Sequence, residues 1–265
     1  MLPETMPVCP VRGSVIYPTM VMPIDAGRPI SIRAIDEALA RDRVLLIVSQ
    51  RDKEVETPRP SDLFEVGTAC NILKMRKNPD GSVQVLVQAF ARVRVREWLD
   101  LGDHLEARGE VLADEPGEPI LVKALVREVK DKFQALLKEG KYLAPEVAQF
   151  ILNLEDPSQL ADYVAFHMDF RLEDKQKVLE TANVAERLRA VLVLLEAELA
   201  LIETQRRIQQ QVKEEIDRNQ REYFLREQMK AIQREPHGEE GEQEAEEIRR
   251  KLEALDLPPV VRQAV

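Results

Sequence analysis

Short apolar runs separated by Gly and Pro occupy the first 112 residues, and 8–11, 15–17, 20–24 and 44–48 read as small strands. Residues 70–77 alternate, with Leu73 and Met75 to one side and Lys74 and Arg76 to the other. Asn78-Pro79-Asp80-Gly81 supplies turn chemistry, and Val83, Val85 and Val87 alternate again, so the segment reads as a hairpin. Arg92-Val93-Arg94-Val95-Arg96 is a further strand with three arginines on one face, expected to be solvated. Between strands, Pro29 can open a helix through Arg41 that buries Ile32, Ile35, Ala38 and Leu39.

The period then changes. Glu, Pro and Gly dominate 114–119, and from Pro119 the residues Val122, Val126, Val129, Phe133 and Leu136 recur at helical spacing up to Gly140. Pro145 can open a second helix to about Leu154, and Pro157 a third to about Met168. Asn183-Val184-Ala185-Glu186 has a capping-box arrangement, and no Gly or Pro follows before Pro236. A helix of about 50 residues, roughly 75 Å long, is predicted there. Leu188, Leu192, Leu195, Leu199 and Ile202 give its first half an apolar stripe; the second half keeps only Ile208, Val212 and Ile216 among polar residues. That predicts a helix packed at its start and projecting at its end, seeking a partner. The expected organisation is a β-rich domain over 1–113, a helical bundle over 119–182, a long helix over 183–235, and an acidic linker over 236–265 that begins a further module. The last residues open a helix and then stop, which reads as a fragment of something longer.

Composition narrows the chemistry. Residues 1–112 hold 15 basic and 16 acidic side chains against 23 and 32 in the remainder, and 235–247 alone carries seven glutamates. Without a dense basic block, nucleic-acid binding is disfavoured. The longest apolar run noted in the second half, 190–195, is too short for a membrane span, and the amino terminus lacks signal-peptide form, so a cytoplasmic protein is expected. Cys9 and Cys70 stand far apart with no CxxC spacing and read as small buried groups rather than a disulfide or zinc site. No P-loop, nucleophile elbow or HExxH occurs, so the chain offers no recognisable active site, cofactor site or metal site.

Several motifs carry a resemblance. Met6-Pro7-Val8-Cys9-Pro10-Val11-Arg12, Tyr17-Pro18-Thr19-Met20-Val21-Met22-Pro23-Ile24, Gly27-Arg28-Pro29 and Asp62-Leu63-Phe64-Glu65-Val66-Gly67-Thr68 resemble the opening of the Lon protease amino-terminal region. The stretch from Gln220 to Gln233, with Tyr223-Phe224-Leu225-Arg226-Glu227-Gln228-Met229, is similar to the segment leading into that family's ATPase module. Where the family's helix continues, Pro236-His237-Gly238 predicts an end or bend at Glu235. The resemblance implies an α+β chain: a PUA-like β-domain with one helix, a helical bundle and a long projecting helix. It also implies a parent ATP-dependent serine endopeptidase, hexameric and using ATP and magnesium, whose catalytic residues lie downstream of this chain. A stand-alone adaptor with the same domain and no protease is the alternative.

A selector of damaged proteins must recognise exposed apolar side chains, and flexible Met beside Tyr and Pro suits that task. Tyr17, Pro18, Met20, Met22 and Met75 are therefore the expected substrate-binding residues. Tyr223, Phe224, Leu225 and Met229, large apolar groups on a charged helix, are the expected oligomer interface.

Overall fold

The computed structural model describes residues 2–140, 143–234 and 246–251. The chain divides into two compact units, Met1–Ala200 and Leu201–Val265.

The first unit is α+β. Its described strands are β1 (Met6–Val11), β2 (Val21–Ala26), β3 (Val44–Ser49), β4 (Val66–Lys77), β5 (Val83–Asp100) and β6 (Leu105–Val111), in the order β2-β5-β4-β3-β1-β6. β5 also pairs with β6, which closes β5-β4-β3-β1-β6 on itself and leaves β2 as an edge strand on the first half of β5. β1 and β3 run parallel, and α1 (Pro29–Ala40) lies in the crossover that such a pair requires. All six residues of β3 are buried, because both faces of this central strand are covered. One core, with Cys9, Ile35, Leu45, Ile47 and Val85, lies against α1. The other, with Met6, Val8, Leu46, Val93 and Leu105, is formed by the opposite faces of the closed strands.

The Asn78–Gly81 hairpin forms as predicted, with Gly81 at φ 85°, a conformation glycine adopts without a Cβ clash. In α1 the deepest residues are Ser31, Ala34, Ile35 and Ala38, so the buried stripe is turned about one position from the predicted one, and Ile32 and Leu39 pack at its margin. Residues 15–17 are buried but form no strand. Their polar groups are held by side-chain contacts instead: Thr68 Oγ1 donates to the Ile16 carbonyl at 2.6 Å and Tyr17 Oη to the Lys175 carbonyl at 2.8 Å. Leu73 and Met75 do not share a side, because a register shift between Ile72 and Lys74 leaves Leu73 exposed.

Helices follow: α2 (Pro119–Lys138), α3 (Pro145–Asn153), α4 (Pro157–His167), α5 (Leu172–Glu180) and α6 (Val184–Arg234). Three of them begin at the prolines named above. Asn183 Oδ1 accepts from the backbone N–H groups of Ala185 and Glu186, each at 3.1 Å, and so caps α6. Gly117 lets the linker reach that cap, since a Cβ there would stand 2.6 Å from Ala185 Cβ. The predicted end or bend at Glu235 and most of the acidic linker lie outside the described residues.

Candidate functional site

Tyr17 is fully buried, Met20 is 4% exposed and Pro18 is buried, so these three do not present the apolar surface expected of them. Met22 and Met75 are half-buried and pack against the core beneath α1. The physical reason is strand parity. Met22 and Ile24 face that core, and the alternate residues of β2, Val21 and Pro23, are the ones left to solvent.

The ladder places those two beside β5. Val21 pairs with Gln88 and Pro23 with Leu86, and Leu86 in turn pairs with Lys74 on β4. An apolar strip results: Val21 at 52% exposure, the exposed Pro23, the partly exposed Leu86, and Phe90 at 38% where an extra residue enters β5. Leu73, 47% exposed at the β4 shift, adds to it. Lys74 and Arg76 flank the strip on one side, and Asp25, accepting from Gln84 Nε2 at 2.8 Å, closes one end. Contiguous apolar surface with a polar rim is the form of a site that contacts another molecule. The sequence held a signal for it: Leu86 and Phe90 are apolar where the alternation of Val83, Val85, Val87 and Ala89 calls for polar residues.

Arg92 is a second surprise, because it is 4% exposed rather than solvated. Its Nη2 donates to both oxygens of the buried Asp162 on α4, at 2.5 and 2.6 Å, and its Nη1 to Asp114 at 3.2 Å. Arg187, at the start of α6, donates to Asp114 at 2.6 Å and to Ser158 Oγ at 2.7 Å. Burial pushes the Asp162 carboxyl up to about 6, against the pull of Arg92 and Arg187. At Asp114, desolvation is outweighed by the bonds from Arg187 and Ser158, which hold its carboxyl below the usual range. The cluster ties β5 to the helices, with Arg92, Asp162 and Arg187 buried and Asp114 and Ser158 at its outer edge.

Both cysteines are held as thiols away from solvent; burial raises Cys9 to about 11, and burial together with Cys9 raises Cys70. Among the described residues no group of His, Cys, Asp and Glu could hold a metal ion, and no helix is long and apolar enough to cross a membrane.

Comparison with known families decides the assignment. Residues 5–197 match the family described as "ATP-dependent protease La (LON) substrate-binding domain". The chain belongs to the Lon substrate-binding domain family. It is 98% identical over all 265 of its residues to Lon protease 2 of Thermus thermophilus, and 39% identical over 253 residues, 95% of the chain, to the Lon protease of Escherichia coli K12. The chain spans about a third of the length of these relatives, 33% and 32%. Among solved structures, the amino-terminal domain of a Mycobacterium avium complex Lon protease superposes with a TM-score of 0.61 at 26% identity, covering 73% of this chain and 98% of that one. The Lon-family match thus takes in both the strip and the buried arginine cluster.

In the unit Leu201–Val265, Tyr223 and Phe224 are 69% and 62% exposed, while Leu225 and Met229 are partly exposed. Ile208, Val212 and Ile216 are each about half exposed along the same helix.

Proposed function

We propose that this chain is the non-catalytic, substrate-recruiting part of an ATP-dependent serine protease, gathering unfolded, damaged or degron-bearing proteins for a hexameric AAA+ motor. The observation that carries the reading is the apolar strip of Val21, Pro23, Leu86 and Phe90 on a closed, well-packed sheet. A folded client hides its apolar side chains and gains nothing there, whereas an unfolded one can lay several across the strip, each worth on the order of 1.5 to 3 kcal/mol when buried. Lys74 and Arg76 at the rim favour clients with acidic residues between the apolar ones.

Tyr223 and Phe224 support an assembly role for the later part of α6, since large exposed aromatic groups on a charged helix are anchors for a neighbouring subunit. ATP and magnesium belong to the parent protein. The described residues offer them neither a phosphate-binding loop nor a metal donor set, and no step of recruitment runs through either.

The test is capture of a permanently unfolded, reduced and carboxymethylated protein by the chain. Leu86→Asp combined with Phe90→Asp should weaken binding about tenfold or more while the melting transition moves by less than about 1 kcal/mol. Unchanged capture by that variant would remove the strip from the mechanism. Phe224→Ala should lower self-association in sedimentation and leave capture by the β-domain intact.

A further inference from the structure

A cavity of about 320 Å³ opens between the end of β1, the inner face of β2 and the first turn of α1. Its floor is apolar, with Cys9, Ile16, Met22 and Ile24, and two arginines, Arg12 and Arg28, stand at its polar end. They differ in one respect. Arg12 is matched by a carboxylate, Glu56, at 3.1 Å. The acceptors that the described residues give Arg28 are neutral: the Pro10 carbonyl at 2.6 Å, Gln50 Oε1, and the Glu56 carbonyl at 3.5 Å. Neutral acceptors fix the guanidinium in place; partial burial and the neighbouring Arg12 lower its pKa, and the Glu56 carboxylate, paired with Arg12, offsets this in part. Asp25 also lines the cavity, its carboxylate accepting from Gln84.

A volume near the low end of the ligand-site range, about 300 to 1,000 Å³, suits one amino-acid residue rather than a nucleotide or cofactor. An apolar floor beside a guanidinium held in place by neutral acceptors suits a carboxylate on an apolar stem. The position of the cavity says what supplies it. β2 is the edge strand, with Val21 and Pro23 on the strip and Met22 and Ile24 facing the cavity, so one polypeptide can cover the strip and turn its end around that edge.

We propose that this cavity takes the carboxyl-terminal residue of an unfolded polypeptide, its free α-carboxylate on Arg28 and its apolar side chain on the Cys9, Ile16 and Ile24 floor. The proposal rests on the recruiting role above and adds a preference to it: clients ending in an apolar residue are held more tightly than clients whose end is blocked.

The experiment compares two fluorescein-labelled, unstructured peptides of identical sequence ending in leucine, one with a free carboxylate and one with a carboxamide, by anisotropy against the full chain. The free acid should bind about tenfold more tightly, as a charge-assisted pair lost to the amide requires. Ser14→Trp, which fills the cavity from a position where the Ser14 side chain is only partly buried, should bring the acid down to the amide. Arg28→Gln should do the same, and Arg28→Lys should restore part of the difference. Equal binding of acid and amide by the unaltered chain overturns the proposal without any appeal to a variant. Leu86→Asp separates the two readings: it should weaken both peptides alike and leave their ratio unchanged. Failure of the strip alone leaves that ratio intact, whereas failure of the cavity alone abolishes the ratio and leaves capture of an unfolded protein in place.

Discussion

Residues 83–90 and 92–96 of β5 alternate in the same way and end in opposite surroundings. In the first stretch Val83, Val85, Val87 and Ala89 are buried on the core under α1, while Leu86 stays partly open and Gln88 is exposed. In the second, Val93 enters the other core and Arg92 is buried as well. The difference comes from Asp162 and Asp114, later in the chain, whose carboxylates give the buried Arg92 its charge partners, while Arg96 on the same strand stays exposed. A strand's alternation therefore identifies one packed face. Whether the other face becomes a binding surface or a structural joint depends on what later segments bring to it.

The largest way to break that comparison is at the joint. Asp162→Ala should cost about 3–5 kcal/mol in chemical denaturation, because it removes the bidentate partner of the buried Arg92, leaving it Asp114 alone, with its Nε already lacking a partner. Replacing both partners, Arg92→Leu with Asp162→Leu, should recover most of the loss, since the desolvation penalty goes with the charges. If the single substitution costs less than about 1 kcal/mol, the cluster does not hold the sheet to the helices and the contrast between the two stretches loses its cause.

A second contrast is available between neighbours. Met20→Ala should destabilise by about 2–5 kcal/mol as a large-to-small change in a packed core. Val21→Ala, one residue on and 52% exposed, should stay within about 0.5 kcal/mol while weakening capture of an unfolded protein. The reverse order would mean that the strip is packed against something and that the methionine is the free surface.

These pairs also mark what could be read from the sequence. The hairpin, the proline-initiated helices and the Asn183 cap were legible because each is set by residues within a few positions of one another. The Lon-type motifs carried the family. The site was only half legible. Which of Met20 and Val21 faces outward depends on where α1 lands, and no local pattern gives that. Residues 15–17 look like a strand because burial selects the same side chains whether a backbone carbonyl bonds to a ladder or, as at Ile16, to the Thr68 hydroxyl. The break between α4 and α5 has neither Gly nor Pro; it is held by packing of Met168, 3% exposed, and so leaves no punctuation in the chain.

The gentlest probe of the comparison is pH. His104 holds Asp103 below the usual carboxylate range, and Arg41 with His104 does the same for Glu106 against its burial; Asp114 is held down by Arg187 and Ser158. For such groups the folded chain releases protons more readily than the unfolded one, so they contribute stability above pH of about 4 that is lost as pH falls further. Asp162 has the opposite sign. Its carboxyl, raised to about 6, binds a proton in the folded chain before the unfolded chain does, so its contribution grows as pH falls from about 6 to 4. Denaturation midpoints should therefore rise gently between pH 7 and about 4.5, by no more than about 1.4 kcal/mol per pH unit, and then fall. Asp162→Asn should flatten the rise and keep the fall, whereas substitutions in the strip, which contains no titrating group, should move neither limb. A rise that survives Asp162→Asn would place the proton elsewhere and separate the pH response from the joint on β5.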